Sequence, residues 1–161
     1  MNLINLSYNH IGDQWAKFLS QVLLINRTLQ VLHIDHNQIG DQGVQSFCQD
    51  LQINTTLRVL NLSYNQIGEK GSKAIGKVLL INSSLKALGL MDNYIGNKEA
   101  KILIDALKMN FSLTRLSLSD KNISNVNRRL INDLININQN VPSPRYYEKV
   151  KRRQIYLNII L

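Results

Sequence analysis

One line of this sequence is written almost twice. Residues 60–71 read LNLSYNQIGEKG, and residues 4–15 read INLSYNHIGDQW. Aligning the whole chain on a 28-residue step extends the match. Asn65 falls on Asn9, Asn37 and Asn93, and Leu60 falls on Ile4, Leu32, Leu88 and Leu116. Leu62 falls on Leu6, Ile34, Leu90 and Leu118, and Ile67 on Ile11, Ile39, Ile95 and Ile123. Gly68 falls on Gly12, Gly40 and Gly96. A second asparagine column runs through Asn26, Asn54, Asn82, Asn110 and Asn138. A fixed period of this length means a stacked array of small units, each unable to bury its apolar face alone.

The two halves of a unit carry different periods. Leu60 and Leu62 are two apart and share one face of a short strand. Val44, Phe47 and Leu51 lie on one side of a helix, as do Leu19 with Leu23, Ile75 with Leu79 and Leu103 with Leu107. Asp13, Asp41, Glu69 and Asn97 sit at the expected helix starts, where a cap or an acidic group suits the dipole. Asn26, Asn54, Asn82 and Asn110 sit at the helix ends, where a left-handed residue is expected. Asn9, Asn37, Asn65 and Asn93 follow each strand and should turn inward. A buried amide there must find partners, and the backbone of the adjacent turn supplies them.

The pattern L-x-x-L-x-L-x-x-N-x-I-G with this period resembles the leucine-rich repeat, and its helical second half resembles the ribonuclease-inhibitor-like subclass. The resemblance covers residues 1–140. It implies an α/β fold: a right-handed solenoid with parallel strands on a concave face and helices on a convex one. About five repeats would form that domain, and residues 141–161 a C-terminal capping or basic and hydrophobic tail. Two departures stand out. Lys121 takes the fifth ladder position and Ser124 replaces the glycine, so the last unit is expected to bend or cap the stack. At the other end no polar unit precedes Ile4, Leu6 and Ile11. A natural start, a fragment boundary and an end covered by another subunit, as in a homo-oligomer, all stay open.

Composition removes several function classes. The single cysteine, Cys48, excludes an internal disulfide framework and multi-cysteine zinc patterns. No cleavable signal opens the chain, and no apolar run reaches the ~20 residues needed to span a membrane. A cytoplasmic setting is expected. The net charge of +8 is uneven: residues 1–56 are acidic on balance, and the excess accumulates after Arg58. Lys70, Lys73, Lys77, Lys98, Lys101 and Lys108 fall on helix faces, where a solvated convex surface accounts for them. Pro142 and Pro144 end the last helical pattern. Arg145, Lys149 and Lys151–Arg153 follow, then Ile155–Leu161 with its apolar residues. This tail is read as a cover for the last repeat. An anionic membrane contact, an import-like basic cluster and a C-terminal secretion signal are its alternatives.

Side chains between the strand leucines should line the concave wall. The period gives the columns Asn5, His33, Asn61, Gly89, Ser117; then Ser7, Asp35, Ser63, Met91, Ser119; then a lip of Tyr8, His36, Tyr64, Asp92, Asp120; then Leu3, Val31, Val59, Ala87, Arg115. Tyrosine, arginine and methionine are types enriched at protein interfaces. The candidate protein-binding residues are therefore Tyr8, His33, Asp35, His36, Tyr64, Met91, Asp92, Tyr94 and Arg115. His33, Asp35 and His36 cluster within four residues, but His36 points away from the face that the other two share, and no third ligand is at hand. No catalytic constellation, cofactor or metal site is read. The expected activity is a non-catalytic protein-binding module with no small-molecule substrate. Free-standing arrays of this kind resemble effectors that intracellular bacteria deliver into host cells. The alternatives are regulation of a small GTPase, by resemblance to Ran GTPase-activating proteins, and nucleic-acid or membrane binding by the basic C-terminal half.

Overall fold

The structure is a computed structural model, and it describes residues 2–119 and 121–140. Strand and helix alternate five times: β1 (Asn2–Asn5), α1 (Asp13–Ile25), β2 (Leu29–His33), α2 (Asp41–Leu51), β3 (Val59–Asn61), α3 (Glu69–Leu79), β4 (Ala87–Gly89), α4 (Asn97–Met109), β5 (Arg115–Ser117) and α5 (Asn125–Asn140). The strands form one parallel sheet in chain order. Leu32 pairs with Leu60, Leu60 with Leu88, and Leu88 with Leu116, so the register of the sheet is the period of the sequence. Each helix packs on the next.

One core runs through all five units between the strand layer and the helix layer. Ile34, Leu62 and Leu90 enter it from the strands, Ile39, Ile67 and Ile95 from the turns, and Phe47, Leu79 and Leu107 from the helices. The fifth unit keeps the stack: β5 pairs with β4 in the same register, and α5 packs on α4. At the first unit Ile4 is exposed, while Leu6 and Ile11 are half-buried. The proposed tail, residues 141–161, lies outside the described residues.

The strand-end asparagines form the expected ladder. Asn65 Nδ2 donates to the Ile34, Leu62 and Ser63 carbonyls at 3.1, 3.1 and 3.2 Å, and Oδ1 accepts from Ile39 N at 2.9 Å. Asn37 and Asn93 repeat this pattern one unit on either side. Each amide thus ties the backbone of its own unit to that of the unit before.

The helix termini depart from the sequence expectation. Asp13 and Asp41 do not cap their own helices. Asp13 Oδ1 accepts from Gly40 N at 2.6 Å and Gly43 N at 2.9 Å, at the start of α2. Asp41 does the same for Gly68 N and Gly71 N at the start of α3, at 2.7 and 2.9 Å. Asn97 Oδ1 accepts from Ser124 N at 2.7 Å, ahead of α5. The carboxylate therefore meets the N-terminal dipole of the following helix, whose orphan N–H groups point at it. Glu69, longer by a methylene, instead pairs with Lys73 at 2.6 Å and Lys98 at 2.7 Å. Those lysines hold Glu69 down at about 2. Its contribution is present above the ordinary glutamate range and fades as pH falls through that range toward about 2. With Glu69 turned aside, α4 uses its own Glu99, which accepts from Gly96 N at 3.0 Å.

The helix-end asparagines are also different from the expectation. Asn26 and Asn110 are extended, at φ −74° and −84°. None of that column is among the residues with positive φ. Their amides act instead. Asn54 Nδ2 donates to Leu23 O in the last turn of α1 at 2.7 Å, and Oδ1 accepts from Leu57 N at 2.8 Å. Asn82 and Asn110 close the ends of α2 and α3 in the same way, through Leu51 O and Leu79 O. Among the described residues, α2 and α3 are thus capped at the start by the preceding unit and at the end by the following one.

One buried group breaks the accounting. Ser72 Oγ is fully buried, with no hydrogen-bond partner among the described residues. The equivalent positions in units one, two and four hold Ala16, Val44 and Ala100, all buried. Ser72→Ala should therefore gain about 1 kcal/mol, since an unsatisfied buried hydroxyl is lost and no bond is broken. A raised midpoint in chemical denaturation at unchanged slope is the expected reading.

Candidate protein-binding surface

The wall is the side of the sheet turned away from the helices. A polar line crosses it. Ser7 Oγ donates to Asp35 Oδ1 at 2.7 Å, and Asn61 Nδ2 donates to the same oxygen at 2.8 Å. Asn61 Oδ1 accepts from Ser63 N, and Ser63 Oγ accepts from Met91 N at 3.2 Å. Asn61 can lie across the next strand because Gly89 is there: a Cβ at that position would stand 2.1 Å from Asn61 Oδ1. Asp35 is thus fixed by two neighbours, with His33 Nδ1 farther off at 4.0 Å.

The lip is built on unusual backbone. Tyr8, His36, Tyr64 and Asp92 have φ of 58°, 53°, 55° and 46°. They are the residues just before the ladder asparagines, where the chain reverses out of the strand. The left-handed turn throws each side chain out at the same angle in each unit. The rings of Tyr8, His36 and Tyr64 consequently stack, with centroids 4.0 and 3.9 Å apart and planes within 11°. Asp92 ends the row. Its hydrogen bond and charge hold the Tyr64 phenol above the ordinary range. Ser119 Oγ donates to Asp92 Oδ1 at 3.3 Å. Tyr8 is 75 % exposed, and Tyr64 and Met91 are exposed as well.

The nine sequence candidates divide on this geometry. Tyr8, His36, Tyr64 and Asp92 come together at the lip. His33, Asp35 and Met91 lie on the adjoining wall, where Met91 also lines a cavity of about 360 Å³ with Ser119 and Ile123. Tyr94 is exposed but sits past the lip, its Cβ 4.0 Å from where a Cβ on Gly68 would stand. Arg115 is exposed at the start of β5, near Asn132 and Gln139 of α5, and does not join the row. Val31, in its column, is buried rather than open. Asp120, the fifth lip position, lies outside the described residues. The sequence reading passed over Ser7 and Asn61 as working parts. Their positions in the inter-leucine columns next to Asp35 were the available signal.

The remaining chemistry is muted. Burial pushes the Cys48 thiol up to about 12, away from the reactive thiolate. Among the described residues, no group of three or more histidine, cysteine, aspartate or glutamate side chains could hold a metal ion, and no helix is long and apolar enough to cross a membrane.

A family model described as Leucine Rich repeat matches residues 26–48 and 54–76. The chain has the fold of a leucine-rich repeat solenoid. Its fold is similar to a solved structure of leiomodin-1 actin-binding site 2, at TM-score 0.78 and 23 % identity, covering 98 % of this chain and 86 % of that one. It is also similar to the tropomodulin C-terminal domain of Caenorhabditis elegans, at TM-score 0.74 and 17 % identity, covering 96 % and 89 %. No curated protein sequence matches the chain. In a leucine-rich repeat solenoid the strand wall is the concave face, so the lip described above borders the groove.

Proposed function

We propose that this chain is a non-catalytic module that binds a partner protein along the concave wall and its tyrosine lip. The observation that carries this reading is the lip itself. A left-handed conformation costs a residue with a Cβ about 1–2 kcal/mol. Glycine would make the same turn at less cost, and asparagine tolerates it better than tyrosine does. Three of the four positions instead carry large rings, one of them standing well out in water. Stacking repays part of that cost, at about 0.5–1.5 kcal/mol per pair. A partner that covers the rings and meets Asp35 and Asp92 would use the rest. The stack holds these groups in place beforehand, so little ordering entropy is lost on contact.

In finer terms the partner belongs to a cell's interior, and the chain resembles effectors delivered into host cells. Leiomodin-1, whose similar structure is an actin-binding site, makes actin the first defined protein to assay. The test is affinity capture from cytosolic lysate, with actin co-sedimentation beside it. It compares the native chain with a Tyr64→Ala, Asp92→Ala variant of unchanged circular dichroism. Capture of a specific partner by the native chain, and its loss in the variant, is expected. Equal capture by both moves binding off the lip and overturns the proposal.

A further inference from the structure

A second surface lies on the rim opposite the lip, where helices end and strands begin. Ile25, Ile53, Ile81 and Met109 each immediately precede an asparagine of the helix-end ladder. Asn54 donates to Asn26 O, Asn82 to Asn54 O and Asn110 to Asn82 O, so the residues beside them are held one unit apart. The four are 77, 58, 62 and 52 % exposed. Leu80 is exposed beside Ile81, and Leu80, Ile81, Met109 and Phe111 share one shallow cavity of about 370 Å³ with Lys86. A row of large apolar side chains in water, repeated over four units, marks a contact surface.

Charge names the occupant. Arg27, Arg58, Lys77 and Lys86 are exposed and lie within five residues of the row in sequence. Lys108 follows too, paired with Asp105 at 3.0 Å. The carboxylates nearest the row in sequence are Asp50 and Asp105, and the second is engaged by that lysine. The row presents one large apolar side chain per unit at Ile25 and Ile53, and widens only to the shallow cavity at Leu80, Ile81, Met109 and Phe111. A helical peptide would need a trough with apolar walls to bury its face. Apolar tips bordered by cations suit the boundary of an anionic bilayer, where the tips enter and the cations meet headgroups. The overall charge of +8 adds long-range attraction of the same sign.

We propose that this rim is a peripheral membrane-contact edge for anionic phospholipid, seated by Ile25, Ile53, Ile81 and Met109 and oriented by Arg27, Arg58, Lys77 and Lys86. The test is co-sedimentation of the full chain with phosphatidylcholine vesicles and with vesicles that also contain phosphatidylserine. Binding to the mixed vesicles alone is expected, weakening with added salt. An Ile53→Glu, Ile81→Glu variant should bind about tenfold more weakly or worse. These positions are exposed, so its circular dichroism should be unchanged. The Tyr64→Ala, Asp92→Ala variant should bind vesicles like the native chain, which separates this edge from the protein-binding wall. Three outcomes overturn the proposal. One is no binding to the mixed vesicles. Another is binding insensitive to the Ile53 and Ile81 changes but abolished by Lys151→Glu, Arg152→Glu and Arg153→Glu. The third is self-association in sedimentation velocity that the Ile53 and Ile81 changes remove while vesicles are ignored, which assigns the row to a second copy of the chain.

Discussion

Replacing Asn65 with alanine is expected to remove about 3–5 kcal/mol of folding stability, from one or two buried groups left bare at about 1–3 kcal/mol each and bonds lost elsewhere. Asn65 is only 7 % exposed. Its amide reaches three carbonyls in two units, and its oxygen holds the Ile39 N–H in the turn of the preceding unit. Alanine cannot replace any of these bonds, and the buried turn leaves little room for water. Against a total of about 5–15 kcal/mol for a domain, this is a large fraction. Asn9 is the internal control. It occupies the same place in the first unit but is exposed, and among the described residues its side chain bonds only to Leu6 O and Ser7 O of its own turn. Asn9→Ala should cost about 1 kcal/mol or less. Chemical denaturation followed by circular dichroism compares the two. Equal losses would mean that the ladder stabilises each turn by itself and does not bind units together.

The second large effect is expected at Gly71, the third residue of α3. Alanine is the better helix former by about 1 kcal/mol, so propensity alone favours the substitution. Space decides the other way. A Cβ there would stand 2.7 Å from Asp41 Oδ1 and 2.7 Å from Ile67 Cγ2. Neither atom is free to yield: the carboxylate is held by Gly68 N and Gly71 N, and Ile67 is fully buried. Displacing Asp41 sacrifices two charge-assisted bonds of about 1.5–3 kcal/mol each, so Gly71→Ala should destabilise by about 2–5 kcal/mol after the propensity gain. An Asp41→Ala background removes one of the two obstructing atoms. The same glycine change should cost about 1–2 kcal/mol less there, a coupling that a double-mutant cycle reads directly. Additive losses would show that the carboxylate is not what Gly71 makes room for.

The fold was legible because both halves of the unit are spelled in leucine and isoleucine at their own periods. Leu60 and Leu62 specify a strand face, and Val44, Phe47 and Leu51 specify a helix face. Polar residues that bond between units were harder to read. Asp41 at the first position of α2 looks like a cap for α2, and only the stacked geometry shows that its carboxylate faces α3. Asn26 looks like a left-handed helix stop. The left-handed residues are instead Tyr8, His36, Tyr64 and Asp92; histidine and aspartate tolerate that backbone better than most, but the two tyrosines give no such signal in a sequence. Their column was still identified as a lip, because the period places it whatever its backbone. Stacking of the rings was not foreseen, since it depends on the angle at which the turn delivers them. The row at Ile25, Ile53, Ile81 and Met109 went unnoticed for a related reason: next to a structural asparagine, an apolar residue passes for core.

The exchange of helix caps between neighbours restricts how an array like this can change length. An acidic group at the head of one helix closes the next, and an amide after a later helix closes the one before. A cut inside a unit therefore strands a donor on one side and an acceptor on the other. Excision or duplication of a whole period headed by Asp13 or Asp41, joined at equivalent points, gives each terminus a replacement of the same kind, whereas the unit headed by Glu69 needs a follower with its own cap, as Glu99 supplies. The molecule has a grain, as timber does: it can be shortened or extended cleanly along its stacking direction in whole turns, and splits badly anywhere else.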